Sequence, residues 1–149
     1  MLRQFIVGGG VSVCNIAIHA LIMTTIVRMA WAIATKDTLH PYLLLILVMI
    51  SVVSVLMVAH TLEIIVWSIV YLIVDVAPPG AGLIYFAFVN YTTLGYGDLI
   101  PEEHWQLLGP MTAMNGVLLF GWSTAVIFEV LRRTMAIGFP ASERGMGGR

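Results

Sequence analysis

Charge and cysteine are what this sequence has least of. Of its 149 residues only 10% are Asp, Glu, Lys or Arg, and one is cysteine. Cys14, alone inside an apolar run, excludes an intrachain disulfide and reads as a small packing residue. A net charge of −1 with no Lys/Arg block excludes a nucleic-acid-binding surface. Neither of the first two apolar runs carries a regular ladder of arginines, which excludes steep gating by charges moving through an electric field. Apolar side chains fill the space instead. With 60% hydrophobic residues and a mean hydropathy of +0.98, the chain has more apolar surface than a small aqueous core can bury, so it reads as an integral membrane protein.

Three apolar runs, at residues 5–34, 42–76 and 105–137, each exceed the roughly 20 residues needed to cross hydrocarbon. Lipid gives backbone polar groups no other partner, so all three are expected to be helices. At ~1.5 Å per residue the second would be roughly 52 Å long and must tilt or project into water. After it, Pro78-Pro79-Gly80 stops the helix, and residues 81–91 form a further helix of about three turns, too short to cross. That pattern fits a re-entrant element, since non-helical backbone at membrane depth must be buried in protein or line a wet cavity. The expected fold class is therefore an all-α membrane protein: three transmembrane helices with a re-entrant helix and strand between the second and third. Residues 138–149, with Gly145, Gly147 and Gly148 beside Pro140 and Ser142, cannot build a core and read as a disordered tail.

Arg28, Lys36, Arg132, Arg133, Arg144 and Arg149 fall on one side of such an arrangement and only Arg3 on the other. The excess of basic residues on the cytoplasmic side of membrane proteins then places the N-terminus and the hairpin outside and the C-terminus in the cytoplasm. Residues 75–107 agree, having no Lys or Arg but carrying Asp75, Asp98, Glu102 and Glu103. A competing reading makes the first run a cleaved signal peptide ending at Ala32-Ile33-Ala34. Its apolar part is too long for one and Arg28 interrupts it, so a retained helix is favoured.

The most specific stretch is Tyr91-Thr92-Thr93-Leu94-Gly95-Tyr96-Gly97-Asp98, between the second and third runs. It resembles the signature of the potassium-channel pore-loop family, with Leu94 where many members have Val or Ile, and the similarity extends over about residues 42–133. The resemblance implies a pore domain over residues 42–137, preceded by an additional helix at 1–36. It further implies a homotetramer in which backbone carbonyls of Thr93, Leu94, Gly95, Tyr96 and Gly97 form a selectivity filter for dehydrated K⁺. Physically, Gly95 and Gly97 permit backbone angles that aim successive carbonyls one way. One chain contains one hairpin, so a closed ring of oxygens needs several copies.

Around this strand Thr92, Asp98, Tyr85 and Trp67 are expected to support the filter, with Tyr96 turned away from the ions and Asp98 capping the mouth. Some family members place a Glu behind the filter where this chain has Val89, so Tyr85, Asn90 and Trp67 are the candidate partners for bracing. On the last helix Asn115, Leu119, Trp122 and Val126 recur at helical spacing as a cavity stripe. Gly116 and Gly121 are candidate hinges, with close packing by small residues as the equal or better reading. Glu102, Glu103 and His104 suit the start of that helix, and Arg132 and Arg133 its end.

Ionisable groups at membrane depth need partners. Ser12, Asn15 and His19 share one face of the first helix, and His60, Glu63 and Trp67 share one face of the second. Facing each other they would form a polar seam, and His19, His60 and Glu63 would form a pH-responsive cluster coupling the first helix to the pore. A satisfied seam that merely fixes helix register is favoured over pH sensing. Two His and one Glu are too few for a di-metal carboxylate centre, so an enzyme is not expected and no cofactor is needed.

The sequence thus points to a passive K⁺ channel whose partners are potassium ions, the lipid bilayer and further copies of itself. Its alternatives are a non-conducting regulatory subunit that keeps the filter sequence, and a K⁺ uptake subunit, which would need four hairpins in one chain. His60-Thr61-Leu62-Glu63 with Trp67, and Phe120-Gly121-Trp122-Ser123-Thr124, resemble segments of small bacterial proteins with one extra span before a two-helix pore, which favours a bacterial inner membrane.

Overall fold

The computed structural model describes residues 1–34, 40–78 and 80–138. Lys36, Pro79 and nearly all of the tail expected at 138–149 lie outside these. Helix α1 runs Leu2–Ala34, α2 Pro41–Val74, α3 Leu83–Tyr91 and α4 Leu108–Gly138, with a short 3₁₀ turn at Glu103–Trp105 before the last. Three of the helices are long and apolar enough to cross a membrane. The fourth, α3, has nine residues, or about 13 Å at ~1.5 Å per residue.

Local chemistry sets the ends. Pro41 at the first helical position of α2 loses no useful N–H and has its φ already fixed for the helix. At the other end Asp75 turns left-handed (φ 55°), and the N–H groups of Asp75 and Val76 both close on the Tyr71 carbonyl. The chain then turns at Gly80 (φ 87°), so α3 begins two residues later than the apolar pattern predicts. Glu102 N–H donates to the Val76 carbonyl (2.9 Å), tying the far side of the hairpin to its near side.

α1 packs against both α2 and α4, and α3 is wedged between α2 and α4. Around α3 the core consists of Ile64, Trp67, Tyr71, Phe86, Tyr91, Trp105 and Leu108. At the opposite end a second apolar core joins Met23, Ile26 and Ala30 of α1 to Leu44, Val48, Val52 and Leu56 of α2 and Val130 of α4. The outer faces stay apolar: Phe5, Val13 and Leu21 on α1, and Ile46, Ile50, Met57 and Ile73 on α2, are exposed, as lipid contact requires. α1 is clamped to the start of α4. Gly8 lies close against the Met111 thioether and Leu108, Gln4 Oε1 accepts the Leu107 N–H (2.8 Å), and Arg3 lies over the Trp105 ring.

Candidate functional site

Residues 92–98 are exposed along the surface of the single chain. α3 aims its C-terminal end at them: Thr92 closes its last turn, with its N–H and its hydroxyl both donating to the Phe88 carbonyl. From there every second residue has positive φ: Thr93 at 60°, Gly95 at 58° and Gly97 at 78°. The non-glycine Thr93 is held there by N–H donation to the Asn90 carbonyl, while Leu94 and Gly95 donate to the Val89 carbonyl. Ordinary strands point successive carbonyls to opposite sides. Mirror-image backbone at alternate residues turns them to the same side. Among the described residues no hydrogen bond ends on the carbonyls of residues 93–97.

Tyr85, one of the expected supports, lies beside Asp98, and interaction with that carboxylate, with some desolvation, raises the phenol above its ordinary pKa. The other two bracing candidates go elsewhere. Trp67 is fully buried and donates Nε1–H to Asn115 Oδ1 (3.0 Å), so it braces α4 and not Asp98. Asn90 donates to the Tyr71 hydroxyl (3.3 Å), which in turn pairs with Thr112 (2.6 Å).

The expected cavity stripe is also corrected. Asn115 and Leu119 are each 1% exposed and face the chain's own helices. Asn115 Oδ1 accepts from Asn15 of α1 (3.2 Å) as well as from Trp67 of α2 (3.0 Å), so its side chain is engaged within the chain. Trp122 is 39% exposed with its ring against His19, and Val126 is partly buried against the second core. The open face of α4 is instead Met114, Leu118, Gly121, Ala125 and Phe128, spaced four, three, four and three residues apart. Asn115 apart, both stripes are apolar, and packing against α1, α2 and α3 decides which one the chain keeps for itself. Gly116 follows the packing reading: a Cβ there would sit 2.1 Å from the Tyr91 carbonyl oxygen. Gly121 has nothing within 4 Å.

Behind α3 lies a buried polar cluster. His19 Nδ1 is 2.7 Å from Glu63 Oε1, and His60 Nδ1 is 3.0 Å from Glu63 Oε2, with His19 and Glu63 fully buried. Asn15 Nδ2 donates to the Glu63 carbonyl (3.2 Å), so the seam between α1 and α2 forms where the sequence put it. Two members escaped the sequence reading. Tyr91, the last residue of α3, donates its hydroxyl to Glu63 Oε2 (2.5 Å), and Ser123 of α4 stands 3.0 Å from His60 Nε2 and 3.3 Å from His19 Nε2. Their signal was weak: Ser123 lies among small residues that read as packing, and Tyr91 reads as the edge of the Thr-Thr motif. At the far end Arg132 and Arg133 both bind Glu129, three and four residues back on α4, and a cavity of about 470 Å³ between α1 and α4 contains none of the expected site residues.

Three membrane-length helices, with a short helix leading into an exposed non-helical segment between the last two, define an integral membrane protein. Residues 42–133, more than half of the chain, match the family described as ion channel, and the protein belongs to that family. No curated protein matches the chain, and no solved structure does.

Proposed function

We propose that the protein is a K⁺-selective channel in which four copies converge so that residues 93–97 form a filter. The observation that carries this reading is the alternation of positive φ at Thr93, Gly95 and Gly97, with no intrachain partner for the carbonyls between them. A K⁺ ion that sheds its water needs a ring of oxygens, one chain supplies one edge of that ring, and a cyclic four-fold axis is the simplest closure. α3 is then a re-entrant pore helix, and the stripe from Met114 to Phe128 faces the cavity beneath the filter. Asp98, beside Tyr85, raises the local cation concentration at the mouth. The distribution of arginines supports an orientation with the N-terminus and filter mouth outside and the C-terminus in the cytoplasm, and the proposed membrane is of bacterial inner-membrane type. Modulation by pH through His19, His60 and Glu63 belongs to the same reading, because Tyr91 connects this group to the residues that lead into the filter.

Purified protein in liposomes tests it. Rubidium or potassium uptake that exceeds sodium uptake and is blocked by Ba²⁺ is expected. Gly95→Ala should abolish it, since an L-side chain in the left-handed region costs about 1–2 kcal/mol at each filter strand. Equal sodium and potassium flux, or full flux through Gly95→Ala, contradicts a carbonyl filter. Absence of flux from the wild-type protein at every pH and voltage favours the regulatory-subunit alternative.

A further inference from the structure

Four side chains behind the filter close a ring. Its contacts run from His19 Nδ1 to Glu63 Oε1 (2.7 Å), Glu63 Oε2 to His60 Nδ1 (3.0 Å), His60 Nε2 to Ser123 Oγ (3.0 Å), and Ser123 Oγ back to His19 Nε2 (3.3 Å). Every gap in such a ring needs one hydrogen. The Tyr91 hydroxyl touches both Glu63 Oε2 (2.5 Å) and His60 Nδ1 (2.9 Å), and its hydrogen goes to the carboxylate at the shorter contact; an ionised Glu63, two neutral histidines and Ser123 then bring one too few, which leaves two lone pairs facing each other across one gap. One added proton fills the gap. The filled ring is electrically neutral whether that proton rests on a histidine beside the carboxylate or on Glu63 itself. Another added proton would put two hydrogens in one gap and leave a buried positive charge, which membrane depth opposes.

We propose that this ring is a binding site for a single exchangeable proton per chain, loaded from the filter end of the bundle. It rests on the pH-modulated part of the reading above and specifies its ligand, its stoichiometry and its side. The titratable groups facing the ring are its own His19 from α1 and His60 and Glu63 from α2, together with Tyr91 from α3; α4 contributes the hydroxyl of Ser123. Basic side chains stay at the bundle ends, Arg3 over Trp105, and Arg132 and Arg133 on Glu129.

Sidedness follows from what lies above and below. Beginning one turn from His19 and His60 and running away from the filter, Met23, Ile26, Val48, Val52, Leu56 and Val130 pack into an apolar plug with each residue at most 4% exposed. Toward the filter end, the buried polar atoms Ser12 Oγ, Asn15 Oδ1 and Asn115 Nδ2 have no protein partner and can pass hydrogen bonds on to water. The unpartnered polar atoms near the ring thus lie toward the filter face, and apolar packing fills the other side. The ligand atoms of His19, His60 and Glu63 also lie within 4.8 Å of one another, close enough for a dication. A dication beside one carboxylate would leave net positive charge buried in the membrane, whereas one proton leaves none.

Nitrogen NMR of the full chain in vesicles buffered separately inside and out, with His40→Gln and His104→Gln to clear the other two histidine signals, reads the ring directly. The His19 and His60 signals are expected to move together in one transition that follows the pH on the filter face. Ser123→Ala opens the ring and should make the two histidines titrate separately. Independent transitions in the wild type, indifference to Ser123→Ala, dependence on the opposite face, or stoichiometric bound zinc would each overturn the proposal. Tyr91→Phe should keep the shared transition but remove the pH dependence of K⁺ flux, and pH-dependent flux that survives it overturns the link to the filter. Because the NMR readout needs no conduction, failure of the ring and failure of the channel reading are separable.

Discussion

Glu63→Ala is expected to lower the stability of the folded chain by about 3–5 kcal/mol, the cost of stripping a buried charged group from its partners. Three donors converge on this one carboxylate: Nδ1 of His19, Nδ1 of His60 and the hydroxyl of Tyr91. Alanine leaves His19 Nδ1 buried without an acceptor and leaves the Tyr91 hydroxyl and His60 Nδ1, 2.9 Å apart, with one bond between them where there were two to the carboxylate, at ~1–3 kcal/mol for each unpaired group before relaxation. Against the roughly 5–15 kcal/mol that holds a typical domain together, this is a large fraction. Thermal unfolding in detergent, followed by tryptophan fluorescence, should show a strongly lowered midpoint. The quadruple replacement Glu63→Leu, His19→Leu, His60→Leu and Tyr91→Phe removes donors and acceptor together, and should recover much of the loss. A wild-type midpoint for Glu63→Ala, or no recovery in the quadruple variant, would show that unpaired polar groups are not what the carboxylate prevents.

Gly116→Ala should silence the channel while leaving it folded. The added Cβ would lie 2.1 Å from the Tyr91 carbonyl oxygen and 3.0 Å from its carbonyl carbon, and both are backbone atoms that cannot rotate aside as a side chain can. Either α4 backs away from α3 or the Tyr91 peptide turns, and Thr92 and Thr93 follow it directly in the chain. Overpacking of this kind costs about 1–3 kcal/mol, too little to unfold most proteins yet enough to displace the carbonyls of the proposed filter. Gly10→Ala on the exposed face of α1, with nothing within 4 Å, is the matched control and should conduct as the wild type does. Undiminished flux through Gly116→Ala would mean that the contact between α3 and α4 does not set the filter geometry.

Much of this architecture is written in the sequence as lengths and breaks. Apolar runs long enough for lipid, then Pro78 and Gly80, then a short apolar run leave little choice but a long helix, a stop and a short helix. The end of α2 came two residues early because Asp75 adopts the left-handed cap that a carboxylate side chain tolerates. Polar residues at helical spacing in two apolar runs likewise announced the seam between His19 and Glu63, since an unpaired carboxylate at that depth is untenable. Patterns cannot say which of two apolar stripes on α4 meets its own chain. Asn115 joined the expected cavity stripe by its helical spacing from Leu119, Trp122 and Val126, and it is buried because its side chain pairs with Trp67 and Asn15. Tyr91 and Ser123 escaped because their roles depend on three helices meeting at one point, which no spacing along a single helix reveals.

Imaging of the purified assembly in potassium, at a resolution that separates backbone carbonyls, tests the central claim most directly. Four chains around one axis, with ion density between successive carbonyl layers of residues 93–97 and the stripe from Met114 to Phe128 lining the space beneath, is the expected result. Chains with no shared axis, or strands 93–97 turned outward with nothing between them, would contradict it.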